Sequence, residues 1–154
     1  PYEAELVLVI GQAGHQIRAQ DARGHIYGYA AGLDMTRRDL QNAAKDKGRP
    51  WDIAKNVEYG APLGHVHRVA DVGYLERGAV ELRQNGVVRQ SGDLADMIWS
   101  AEEIIAHVSR FYTLLPGDLI FTGTPEGVGP VKPGDRLDAR VASLDPLEVQ
   151  IVAS

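Results

Sequence analysis

The sequence predicts a mainly β, α+β protein with two or three helices in one unit. Three observations carry that expectation: the continuous apolar, β-branched run LVLVIG (residues 6–11) ended by glycine, an Asn85-Gly86 pair between two alternating runs, and two Pro-Gly-Asp turns that each feed a strand-like segment. The chain has 154 residues, 44% hydrophobic and 24% charged, which is about one domain's worth of an ordinary globular composition.

Each element follows in chain order. LVLVIG reads as a strand buried on both faces, and IYGYAAGLD (residues 26–34) as a second strand or strand edge rich in small residues. Thr36 followed by Asp39 resembles a capping box, so DLQNAAKDKG is expected to run as a short helix to Gly48, with Asp34 on the strand-to-helix turn. APLGHVHRVADVGYLERG has turn chemistry and little periodicity, which predicts a surface excursion. AVELRQNGVVRQSGD predicts a hairpin with a type I′ turn at Asn85-Gly86. Ser100 and Glu103 form a second capping box, opening a helix over EEIIAHVSRFYTLL whose apolar positions 104, 105, 108, 111 and 115 share one face. The turns at 116–118 and 133–135 lead into strands DLIFTG and DRLDARV, and LEVQIVAS alternates like a half-exposed strand.

Composition narrows the function. Sixteen basic against 21 acidic residues give a formal charge of −5, which offers no electrostatic footprint for nucleic acid or an anionic membrane. The absence of cysteine excludes disulfides, thiolate metal sites and a cysteine nucleophile, and fits a reducing compartment. No apolar run approaches the ~18 residues of a membrane span and no signal-peptide pattern opens the chain, so a cytoplasmic protein is expected. The chain opens PYEAELVLVIG, without methionine and with a strand under way by residue 5, which suggests the retained part of something longer.

Several residues carry possible chemistry. Glu3 and Glu5, two apart before an apolar strand, fall on one face if the strand extends through them, where like charges call for a cation. An oxygen-only set suits Mg²⁺ or Mn²⁺; the alternative is a solvated strand start. Asp34 is either an acid near a helix N-terminus or a third oxygen ligand completing a facial set. Lys55 after GRPW reads as a surface lysine by itself. Arg38 and Gln41, three apart on one helix face, either grip an anionic, oxygen-rich ligand or face water. TGTPEGVGP (residues 122–130) sets hydroxyls and glycines at a strand end, suited to bringing backbone N–H groups to a ligand oxygen or simply to a tight turn, and it is not a P-loop. Histidines 15, 25, 65, 67 and 107 read as structural or solvated, and no G-x-S-x-G elbow occurs.

E-x-E before the apolar strand, GYAAGLDMTRRDLQ, KGRPWDIAK, QSGDLADMIWS and GDLIFTGTPEGVGPVKPGD occur in one collinear order across the whole chain. Together they resemble the fumarylacetoacetate hydrolase family, and within it the bacterial fumarylpyruvate hydrolase and acylpyruvase branch. The resemblance implies a β-roll or folded mixed sheet, usually dimeric, binding Mg²⁺ or in relatives Mn²⁺ or Ca²⁺. It implies Glu3, Glu5 and Asp34 as metal ligands, Lys55 as the catalytic lysine, and Arg38, Gln41, Lys55 and Thr122 as substrate contacts. The implied reaction is hydrolysis of a C–C bond in an acylpyruvate, with fumarylpyruvate giving fumarate and pyruvate through a metal-stabilised enolate. A small 2-oxo acid is thus the expected partner, in a homodimer. The family's water-activating His/Glu dyad lies before E-x-E, in a segment this chain does not contain, so residues 1–154 read as a single catalytic domain lacking its N-terminal part and no base is assigned. Two other readings stand beside hydrolysis: oxaloacetate decarboxylation or 2-oxo-acid isomerisation on the same metal enolate, and a non-catalytic binding relative.

Overall fold

In the computed structural model, which describes residues 1–153, the first apolar run forms β1 (Ala4–Ile10), with all seven residues buried. It is buried on both faces because it is an interior strand. It pairs antiparallel with β2 (Ile26–Leu33) on one side and with β6 (Leu119–Phe121) on the other, while β3 (His67–Arg68) adds to the far edge of β2. A second sheet has the order β5-β4-β7-β8, built from β4 (Ala79–Gln84), β5 (Val87–Asp93), β7 (Arg136–Val141) and β8 (Leu147–Gln150). All strand pairings in both sheets are antiparallel. The expected α+β class and folded-sheet architecture are what the chain adopts.

Strand alternation assigns the faces. β1 and β2 lie against β4 and β7, and Leu6, Leu8 and Ile10 join Leu82, Leu137, Val141, Tyr29 and Ile105 in one shared core. Glu3, Glu5, Val7 and Val9 have the opposite parity, so the carboxylates emerge on the face turned away from that core. Asn85 and Gly86 both take positive φ, 53° and 82°, as a type I′ turn between β4 and β5 demands. The two Pro-Gly-Asp turns deliver β6 and β7 as expected.

The helices depart from expectation in three places. The helix after Asp34 is α1 (Arg38–Lys45), and its N-cap is Arg37 without a side-chain cap. Thr36 is buried and its hydroxyl donates to Glu3, while Asp39 pairs with Arg37 through two bonds of 3.1 and 2.7 Å, so the Thr36/Asp39 capping box does not form. A tertiary acceptor has won over the local one. The Ser100/Glu103 capping box does form, but its helix, α4 (Ala101–Val108), ends well short of residue 115. Ser109 stops it: its Oγ accepts from Ile17 N at 2.9 Å and its carbonyl from Gln16 N at 2.8 Å, and the chain must then turn for Leu114 to bridge Gly14. Phe111 is consequently 66% exposed, not part of a buried helical face. Finally, the excursion at 61–78 carries β3 and the single turn α3 (Val69–Val72), because the edge of β2 offers backbone groups to pair. Among the described residues no helix is long and apolar enough to cross a membrane.

Candidate active site

The antiparallel register of β1 and β2 creates the site. Ala4 stands opposite Leu33, and the pairing continues one step as Asp34 N donates to Glu3 O at 2.9 Å, so Asp34 lies beside Glu3 at the strand ends. The following residues are tied down by the next loop: Met35 N donates to Gly60 O at 2.7 Å and Arg37 N to Ala54 O at 2.9 Å. That loop contains α2 (Asp52–Lys55), a single turn anchored by fully buried Ala54, whose last residue is Lys55. Two strands and one short turn thus bring residues 3, 5, 34 and 55 together.

Glu3, Glu5 and Asp34 each offer a carboxylate oxygen within 4.8 Å of the others. Oxygens sharing one octahedral cation stand about 3 to 4 Å apart, so small side-chain rotations would close this set on a hard divalent ion. The donors are all oxygen, as Mg²⁺ or Mn²⁺ prefers. Lys55 bridges two of them, its Nζ donating to Glu3 Oε2 and Asp34 Oδ2 at 2.7 Å each. Burial would lower the Lys55 pKa, but the bonds and charges of Asp34 and Glu3 outweigh it and hold the ammonium above its ordinary value.

Glu5 differs from its neighbours. It is only 4% exposed, and its Oε2 accepts from Gly123 N at 2.7 Å. Burial pushes its pKa up to about 7; the Gly123 N–H opposes that rise, while the negative charges of Asp34 and Glu3 add to it. Its folded pKa therefore lies above the ordinary carboxyl value, so its protonated form favours the fold. That contribution is full below about pH 4.5 and lost as pH rises through about 7. Cation binding runs the other way, because the cation needs the ionised carboxylate. Mn²⁺ affinity measured calorimetrically is expected to level off above pH 7 and to fall up to about tenfold per unit below it, as for release of one proton; a flat profile from pH 5 to 8 would contradict this role for Glu5.

Arg38 and Gln41 lie on α1 on the same side, joined by an Arg38 Nη1 to Gln41 Oε1 hydrogen bond, and Arg38 also approaches Glu3 Oε1 at 3.8 Å. Gln41 is buried, so its amide is fixed while the Arg38 guanidinium stays partly open to solvent. The Thr122 hydroxyl does not point to the carboxylates: it donates to Leu6 O at 2.8 Å, extending the β1–β6 pairing beyond Phe121. The five histidines stay away from the cluster. His25 bonds Gln12 O, His67 meets Asp145, and His107 stacks between Trp99 and Phe111.

Two contributors lie outside the expected site residues, Thr36, whose hydroxyl holds Glu3, and Gln90, while the Gly123 N–H, in the loop expected to present N–H groups to a ligand oxygen, serves the Glu5 carboxylate instead. Gln90 is the one buried residue of β5, a polar side chain at an inward position of an alternating strand, and that parity was the available signal. The TGTPEGVGP loop itself is shaped by a close approach to β5. Gly127 has φ +100°, and a Cβ there would sit 2.1 Å from Arg89 O. Gly127→Ala is expected to cost roughly 1–3 kcal/mol from backbone strain and to lower Tm by several degrees in a melting experiment; an unchanged Tm would mean that the loop is not held as described.

Three convergent carboxylates, two of them bridged by a lysine and one approached by an arginine, make an all-oxygen donor cluster that a hard cation could occupy. Residues 1–152 match the family described as Fumarylacetoacetate (FAA) hydrolase C-terminal. The chain belongs to that family. It is 49% identical over 150 residues to a fumarylpyruvate hydrolase from Ralstonia sp., covering 97% of this chain and 78% of that one. It is 40% identical over 137 residues to an oxaloacetate tautomerase of Escherichia coli, covering 88% of this chain and 63% of that one. The crystal structure of fumarylpyruvate hydrolase from Pseudomonas aeruginosa in complex with Mn²⁺ and pyruvate superposes with a TM-score of 0.96 at 45% identity, covering 99% of this chain and 66% of that one.

Proposed function

We propose that this chain is the catalytic domain of a divalent-metal-dependent hydrolase that cleaves a C–C bond in an acylpyruvate, with fumarylpyruvate giving fumarate and pyruvate. The observation that carries the reading is the convergence of Glu3, Glu5 and Asp34 around the Lys55 ammonium. The likeness to the Ralstonia fumarylpyruvate hydrolase, and the Mn²⁺ and pyruvate bound by the Pseudomonas enzyme, support it.

Glu3, Glu5 and Asp34 would hold Mg²⁺ or Mn²⁺, with Ca²⁺ as a substitute. When bound, the cation supplies Lewis-acid stabilisation of negative charge on the carboxylate and 2-oxo oxygens of a 2-oxo acid. Lys55, held cationic by two carboxylates, adds a fixed positive charge at the same oxygens. Arg38, oriented by buried Gln41, binds the distal carboxylate of the substrate with a charge-assisted contact. Thr122, whose hydroxyl is given to Leu6 O, would contact the substrate through its backbone and methyl group. Among the described residues no histidine reaches the cluster, so the proton transfer that activates water is assigned to none of them.

A second reading has a specific observation behind it: tautomerisation of oxaloacetate, a 2-oxo-acid isomerisation, as in the Escherichia coli relative. The same residues would stabilise the same charge, but no water is added and no C–C bond breaks. The discriminating experiment incubates the protein and Mn²⁺ with fumarylpyruvate and, separately, with enol-oxaloacetate. Pyruvate release from the first supports hydrolysis. Loss of the enol absorbance without pyruvate supports tautomerisation, and neither, with oxalate still bound, leaves a binding protein. The family resemblance also suggests a homodimer, which light scattering checks.

A further inference from the structure

Gln90 belongs to β5 in the second sheet, yet its side chain reaches β1 and the loop after β6. Its Oε1 accepts from Ala4 N at 3.0 Å, and its Nε2 donates to Thr124 Oγ1 at 2.8 Å and to Pro125 O at 2.8 Å. Thr124 Oγ1 in turn donates to Ala4 O at 2.8 Å. These bonds close a ring: Ala4 N to Gln90, Gln90 to Thr124, Thr124 back to Ala4 O. Gln90 is 1% exposed, and every polar atom of its amide has a partner.

The place of this ring gives it meaning. β6 stops pairing with β1 at the Val7–Phe121 step, which leaves the edge of residues 4–6 without a strand beside it. Thr122 serves Leu6, the ring serves Ala4, and between them the Gly123 N–H is presented to the Glu5 carboxylate. Ala4 is also the residue between Glu3 and Glu5, so whatever holds its peptide holds the backbone from which two of the three converging carboxylates project. Buried, the amide must be satisfied, and the partners that satisfy it are the peptide between Glu3 and Glu5 and the loop that carries Gly123.

We infer that Gln90 is a positioning residue for the carboxylate cluster: through the ring with Ala4 and Thr124 it sets the strand edge and the Gly123 N–H that together aim Glu5. The inference rests on the metal reading of the cluster, and its test separates the two. Gln90→Met keeps the length and removes the bonds; Thr124→Val opens the ring while leaving Gln90 on Ala4 and Pro125. Ile26→Ala, in the core at the opposite end of β2 from the Ala4–Leu33 pair, is the control for loss of stability alone.

Two quantities are read: hydrogen exchange at the Gly123 amide, which Gln90 does not touch, and the calorimetric Kd for Mn²⁺. In both ring variants Gly123 exchange is expected to accelerate about tenfold or more and Mn²⁺ to bind about 10- to 100-fold more weakly, as outer-shell substitutions do. Ile26→Ala, with an equal or larger drop in Tm, is expected to leave both near parental values. Parental Gly123 exchange in the ring variants, or an equal change in Ile26→Ala, overturns the inference. If Gln90→Met does not fold, Thr124→Val decides alone. If the parent takes up no Mn²⁺ while the ring variants still release the Gly123 amide, positioning of Glu5 stands and the metal reading falls.

Discussion

Asp34→Ala is expected to weaken divalent-cation binding by more than the roughly 10–100-fold that loss of an outer-shell partner costs, while leaving the fold intact. Among the described residues Asp34 is one of three carboxylates in the cluster, and no histidine or cysteine donor joins them there for a hard cation to fall back on. Its structural role is modest. It begins outside β2, its side chain is 30% exposed, and its backbone N–H to Glu3 O survives the change. The ion pair it makes with Lys55 is partly solvated and contributes on the order of 1 kcal/mol or less. Removing one of three like charges offsets part of even that. The measurement is paired: Mn²⁺ titration by calorimetry, and thermal melting without metal. Parental Mn²⁺ affinity in the variant would remove Asp34 from the ligand set.

Lys55→Met is expected to act mainly on turnover. A fixed charge beside an oxygen that gains negative charge is worth about 10²- to 10³-fold in kcat when deleted. The substitution should also loosen the metal-free site, because Glu3 and Asp34 lose their shared donor and face each other with only Thr36 and the more distant Arg38 for relief. A bound cation neutralises the same oxygens. The Tm difference between variant and parent should therefore shrink when Mn²⁺ is added, while the kcat difference persists. Steady-state pyruvate release and melting with and without Mn²⁺ read both effects. A kcat within tenfold of the parent would exclude Lys55 from the chemistry.

Much of the architecture was legible because it rests on local rules. LVLVIG specified a doubly buried strand, Asn85-Gly86 a type I′ hairpin, Pro-Gly-Asp a turn into β6 and another into β7, and Ser100/Glu103 a complete capping box. Each is a short-range pattern whose outcome depends on residues within a few positions. The expectation failed where a distant group competed with a neighbour: Thr36 chose Glu3, 33 positions away, over the start of α1, and Ser109 took Ile17 N and ended α4 early. No window of sequence contains both members of such a pair.

The same division runs through the site. By itself the sequence determined the apolar strand that Glu3 and Glu5 introduce at a spacing of two, the acid placed between a strand and a helix, and the order of blocks that marks the family. It could not decide whether those acids meet. Only the antiparallel register of β1 and β2 puts Asp34 beside Glu3, only the packing of the 51–60 loop brings Lys55 across to both, and only the approach of the second sheet gives Ala4 its partner in Gln90. The physical reason is that spacing along a strand is set by the covalent chain and its period of two, whereas proximity between strands is set by registry and burial, which the whole core must settle together.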